Sequence, residues 1–256
     1  MDVWDAVAVF AAGVAAGGIN TIVGSGSLIT FPTLLALGYV PVVANVSNNI
    51  GLVPGGVTGA YGYRNELKGQ RERLLRLGSA SLAGAVIGGL LLLGLPAGAF
   101  KVIVPALIVV ALVLVVLQPR LQSWMLRRRE GEHRPHGGPW LWAGVLLAGM
   151  YGGYFGAAQG IVLIALLGIA LDDDLQRLNA AKNVLSAIVN GSAAVLFITM
   201  SIVADTRIDW GAVLLIAAGS TVGGLLGARA GRRIPPLVLR CVIVAVGLVA
   251  IVNLLR

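Results

Sequence analysis

Lys182 stands within Asn179-Ala180-Ala181-Lys182-Asn183, about two turns into an otherwise apolar stretch. An ammonium so placed is costly against lipid and should face a cavity or a partner. The alternative is that its long stem snorkels to a nearby basic surface. The first half of the chain carries a counterpart, Asn45-Val46-Ser47-Asn48-Asn49. Amides and hydroxyls beside an ammonium can surround an oxyanion, and they can equally tie helices together. Two further runs of small and polar residues interrupt apolar segments: Val23-Gly24-Ser25-Gly26-Ser27 and Phe155-Gly156-Ala157-Ala158-Gln159-Gly160. Helix ends at such breaks present N–H groups and a positive dipole end, which suit an anion. The candidate substrate-binding residues are therefore Ser25, Gly26, Ser27, Ser47, Asn48, Asn49, Gln159, Lys182 and Asn183.

Other chemistry is poorly provided for. All eleven acidic residues lie near segment ends or in connections, which argues against a buried carboxylate proton relay. His133 and His136 share one basic, glycine-containing linker and read as solvated residues, not metal ligands. Cys241 has no partner for a disulfide or a thiolate cluster. Neither an enzyme nor a cofactor is expected.

The elements that must position these residues are long and apolar. The chain is 57% hydrophobic and 12% charged, with the charges gathered between runs such as residues 80–93 and 102–117. Such runs leave no polar face for water and approach the ~20 residues that a bilayer-spanning helix needs. Continuous runs, instead of alternation, exclude a β-barrel and predict an all-α polytopic membrane protein. The net charge of +8 sits in short connections beside apolar segments, a membrane-orienting pattern, so no nucleic-acid partner is expected. The acidic start, Met1-Asp2-Val3-Trp4-Asp5, is unlike a cleaved leader. All five tryptophans lie at or just beyond segment ends, where they read as interfacial anchors.

Apolar segments fall at about residues 3–23, 27–38, 41–62, 75–95, 97–118, 140–156, 160–171, 176–203, 209–229 and 235–255. They divide the chain into a first repeat (1–118), a basic cytoplasmic linker (119–139) and a second repeat (140–256). Each half reads as a broken helix pair followed by three transmembrane helices. Setting Asn49 against Asn183 also aligns Gly56 with Asn190 and Thr58 with Ser192, without a gap. If every broken segment crossed the membrane once, the cluster Arg64 to Arg76 and the Arg-rich linker would lie opposite Arg229, Arg232 and Arg233, against the positive-inside rule. If each pair is re-entrant, the repeats are inverted, all three basic clusters share the cytoplasmic face, and both termini lie outside the cytoplasm.

These motifs resemble the sulfite exporter TauE/SafE family, also called the toluene sulfonate uptake permease family, over essentially the whole chain. The likeness is carried by Gly24 to Ile29 with Pro32, by Ala44 to Asn49, by Asn179 to Asn183 with Asn190, and by Asp209-Trp210, Gly223-Gly224 and Gly227-Ala228-Arg229. The resemblance implies a secondary transporter, an exporter by its family's name, of small sulfur-containing or organic anions such as sulfite, sulfonates or sulfoacetate. It implies a bacterial inner membrane, with the bilayer and a small anion as partners and a homo-oligomer left open. Family breaks are commonly richer in consecutive glycines than those here, which falls where substrate identity would be decided. A passive anion channel and a non-transporting membrane scaffold are the alternatives.

Overall fold

The computed structural model describes residues 1–127, 137–204, 207–230, 241, 243–246 and 248. Among them the regular elements are α-helices: α1 Val3–Ile22, α2 Ser27–Ala36, α3 Pro41–Gly62, α4 Arg71–Gly94, α5 Ala97–Arg127, α6 Pro139–Tyr154, α7 Gln159–Ala170, α8 Leu175–Val203 and α9 Trp210–Ala230. Five of these contain stretches long and apolar enough to cross a membrane: α1, α4, α5, α8 and α9. The expected linker residues with His133 and His136, and the apolar segment 235–255 for the most part, lie outside the described residues.

Most boundaries follow the apolar pattern, but α4 starts four residues before the segment at 75 and α5 runs through Pro119 to Arg127, into the stretch read as linker. Hydropathy marks the part of a helix that lipid or protein covers, whereas main-chain hydrogen bonding continues as far as the residues allow. α1 begins with a capping box, Asp5 N–H donating to Asp2 Oδ1 at 2.7 Å and Asp2 N–H donating to Asp5 Oδ2 at 3.1 Å.

Glycine and serine faces bring the helices to backbone contact. On α1, Gly13 faces Ile216 and Gly219, and Gly17 faces Ser220 and Gly224, so α1 and α9 run in the same direction. Gly51, Gly55 and Gly62 of α3 meet Ile216, Ser220 and Ala228 in the same order, which makes α3 parallel to α9 as well. The second group repeats the arrangement. Gly84 and Gly88 of α4 face Leu146 and Met150 of α6, Gly153 faces Ala85, and Gly78 and Gly89 meet Ile188 and Leu196 of α8, so α4, α6 and α8 run together. Small residues permit this approach, which is how membrane helices gain packing energy without a hydrophobic driving force.

The short helices α2 and α7 each return to the end of the molecule from which their partner set out. Tyr39, just beyond α2, lies beside the chain start, its hydroxyl 3.7 Å from Met1 Sδ. Asp173, just beyond α7, and Gly137, just before α6, both bond to α4: Arg73 Nη1 donates to Asp173 Oδ2 at 2.8 Å and Arg76 Nη1 to the Gly137 carbonyl at 3.2 Å. Large apolar side chains on the outside, among them Val113 and Val116 of α5, Leu147, Val195 and Leu214, face the surroundings. That is the surface expected where lipid is the solvent.

Candidate functional site

The two breaks touch. Gly24 and Gly160 are in backbone contact: a Cβ added to Gly24 would lie 2.4 Å from the Gly160 Cα, and Gly160 N–H donates to the Gly24 carbonyl at 3.0 Å. Gly24 adopts φ +88°, and in the second break Gly156 and Ala158 adopt φ +78° and +61°. Gly24 and Ala158 are separated by the same 134 positions as Asn49 and Asn183. Left-handed backbone at matching places turns both chains back sharply. An alanine pays for that conformation by roughly 1–2 kcal/mol, and here the residue is wholly buried. Phe31 of α2 stacks edge-on against Phe155 at 5.2 Å between ring centres, closing the apolar side of the contact.

Each polar cluster serves the break of the other half. Asn45 Nδ2 on α3 donates to the Tyr154 carbonyl at 2.9 Å, at the end of α6. On α8, Lys182 Nζ donates to the carbonyls of Asn20 at 3.1 Å and Thr21 at 3.2 Å, at the end of α1. Asn179 Nδ2 and Asn183 Nδ2 also donate to the Thr21 carbonyl, each at 3.3 Å. A helix ends with carbonyls that lack intrahelical partners and carry the negative end of its dipole. An ammonium flanked by two amides fits that end. Lys182 is fully buried, and its partners are neutral.

The other sequence candidates divide. Ser25 and Gln159 sit in the touching breaks and are almost wholly buried, with Ser25 Oγ and Gln159 Nε2 left without a hydrogen-bond partner. Asn49 is buried with its Oδ1 unpaired. Ser27 is half-buried across from the second break, its Oγ 3.9 Å from where a Cβ on Gly156 would stand. Gly26 packs onto α1, where a Cβ would come within 2.4 Å of the Ala16 carbonyl. Asn48 Oδ1 is taken by the Thr30 hydroxyl on α2. Ser47 is drawn away toward α9, its Oγ accepting from Asp209 N–H at 3.0 Å.

The free N–H groups expected at the breaks are partly consumed, since Gly160 donates to Gly24, Leu28 to the Ser25 carbonyl and Ile29 to the Gly26 carbonyl. Sequence reading missed Thr21, whose carbonyl gathers three donors, and Tyr151, whose hydroxyl bonds the Ala157 carbonyl inside the second break. Backbone acceptors leave no signature in residue types. Among the described residues no three His, Cys, Asp or Glu side chains come together as a metal site would require.

A family model described as Sulfite exporter TauE/SafE matches residues 9–254. The chain belongs to the TauE/SafE family. Among the relatives of this TauE/SafE chain is the "Probable membrane transporter protein YfcA" of Escherichia coli K12, 25% identical over 84% of this chain and 76% of that one. A "Probable membrane transporter protein" of Haemophilus influenzae is 27% identical over 86% of this chain and 82% of its own. No solved structure matches. With its apolar helices, the TauE/SafE chain is a multi-pass membrane protein.

Proposed function

We propose that this membrane transporter of the TauE/SafE family carries small sulfur-containing or organic anions, such as sulfite, sulfonate or sulfoacetate, outward across a bacterial inner membrane. The site lies where the two breaks meet, between Ser25, Gly26, Ser27, Asn49, Gln159, Lys182 and Asn183, with Ser47 and Asn48 holding the surrounding helices. The observation that carries this reading is Lys182. Its ammonium has three N–H donors, two of which go to the Asn20 and Thr21 carbonyls, and no described carboxylate pairs with it. A buried cation among neutral groups draws an anion. The Ser25 hydroxyl and Gln159 amide, buried in the two breaks without a hydrogen-bond partner, would supply further hydrogen bonds.

The two halves are read as inverted repeats. Support comes from the matching left-handed residues Gly24 and Ala158, from α1, α3 and α9 running together while α4, α6 and α8 form the other parallel set, and from both short helices turning back. Arg64, Lys68, Arg71, Arg73, Arg76 and Arg229 then sit at the cytoplasmic end, and Met1 at the other. The first repeat, residues 1–118, and the second, 140–256, are joined by the basic linker 119–139.

Binding is tested by thermal unfolding of the purified protein with a panel of sulfite, sulfonates and carboxylates. A ligand at about 100 times its Kd stabilises by ~2.7 kcal/mol. Lys182→Met should remove that gain and abolish anion flux in protein that still folds. The three donors converging on the Thr21 carbonyl favour a second reading, in which the cluster is only helix glue. That reading requires lower stability with flux intact in Lys182→Met, and such a result would displace the transport site from Lys182.

A further inference from the structure

At the basic end of the molecule a charged network joins the two halves, and the candidate site makes no use of it. Arg73, in the first turn of α4, donates through Nη1 to Asp173 Oδ2 at 2.8 Å. The other oxygen of the same carboxylate, Oδ1, accepts from Arg177 Nε at 2.7 Å. Arg177 then reaches the α3–α4 connection, its Nη1 donating to the Lys68 carbonyl at 3.2 Å. Gln70 closes the circuit: its Nε2 donates to the Arg177 carbonyl at 3.1 Å, and its Oε1 accepts from Arg73 Nη1 at 3.1 Å. The side chains of Arg73 and Asp173 are each 13% exposed. A carboxylate held by two guanidinium groups in partial burial is a geometrically demanding contact, unlike a loose surface pair.

The opposite end is built differently. There the chain start and the connections after α2 and α8 surround an open cavity of about 470 Å³, lined by Met1, Asp5, Tyr39, Arg207 and Asp209 among others. One end is therefore fastened across the halves by shared charge, whereas at the other, beside this cavity, they are joined by the Ser47–Asp209 hydrogen bond.

We propose that Asp173, gripped by Arg73 and Arg177, is a latch that shuts the basic end, and that it must release for the interior to open toward that side. The proposal rests on the transporter reading only in the use made of the opening. Separating the α3–α4 and α7–α8 connections requires the Arg73–Asp173, Arg177–Lys68 and Gln70–Arg177 contacts to break, and the Asp173–Arg177 pair links the first two of them. The element is thus suited to two discrete arrangements.

The test uses a Cys241→Ser background carrying Ser186→Cys, a buried position on α8 eleven residues beyond Leu175, or roughly 16 Å along the helix. A membrane-impermeant maleimide is applied in vesicles from the side at which Lys68→Cys reacts. Labelling of Ser186→Cys should be slow, should rise at least tenfold on adding Asp173→Asn, and should fall back in the swap Arg73→Asp with Asp173→Arg. An unchanged rate with Asp173→Asn overturns the latch. As a second measurement, Arg73→Cys and Asp173→Cys are bridged by a reducible thiol cross-linker. Anion flux should stop on bridging and return on reduction, and undiminished flux in the bridged protein overturns the proposal. The labelling arm needs no flux, so a parent protein that carries no anion would count against the transport reading while leaving the latch to be decided by accessibility.

Discussion

Asp173 shows how one carboxylate ties stability to pH. Burial alone would raise its carboxyl, but hydrogen bonds from Arg73 and Arg177 outweigh that and hold it below the usual carboxylate range. A group whose folded value is lowered contributes stability at every pH above its unfolded value of about 3.9 and loses it as pH falls through the folded one. The gap in unfolding midpoint between the parent and Asp173→Asn should therefore be constant between about pH 5 and 8 and close below about pH 4. Glycine offers a second test at this scale. Gly24 and Gly38 share a left-handed backbone, φ +88° and +84°, but a Cβ on Gly38 meets nothing within 4 Å whereas one on Gly24 strikes Gly160. Gly38→Ala should cost about 1 kcal/mol, and Gly24→Ala roughly 3 kcal/mol in total, read as unequal drops in thermal midpoint. Equal drops would mean that the contact between the breaks contributes nothing.

The helices themselves were largely legible from composition, because long apolar runs bounded by charge permit few other structures in a bilayer. The starts of α3 and α8 and the two breaks stood out for the same reason, as polar residues where none are cheap. What the chain's linear order concealed was which helix meets which. Nothing in Asn179-Ala180-Ala181-Lys182-Asn183 says that its donors serve the end of α1 and not the neighbouring end of α6, since that choice is made by helix packing. The glycine faces decide it, and they can be tested. Gly88→Ala places a Cβ 2.0 Å from the Met150 carbonyl on α6, while Gly191→Ala on α8 enters open space. The first should lower stability by about 1–3 kcal/mol. The second should be neutral or stabilising by up to about 1 kcal/mol, since alanine favours helix over glycine. A Gly88→Ala protein as stable as its parent would show that α4 and α6 are not held at backbone contact.

At the scale of the whole molecule, the halves exchange their most intimate contacts. α1 and α3 belong to the first half yet lie against α9 of the second, and α6 and α8 of the second lie against α4 of the first. Among the described residues, each half thus buries glycine faces of its long helices against the other half. Produced as two separate chains, residues 1–127 and 137–256, each half alone should be degraded or aggregate. Production of both together should recover protein that elutes as one species in detergent, and a first half that is folded and protease-resistant alone would contradict this packing. The same exchange sets a schedule for biosynthesis. α9 begins about 190 residues after α1 ends. At ~5–20 residues per second, α1 waits in the bilayer for roughly 10–40 s before its partner is made. During that interval its glycine face is covered by lipid tails or by the insertion machinery, so the last helices to emerge complete the first ones, and a slowed or truncated ribosome would leave an early half with nothing to fold against.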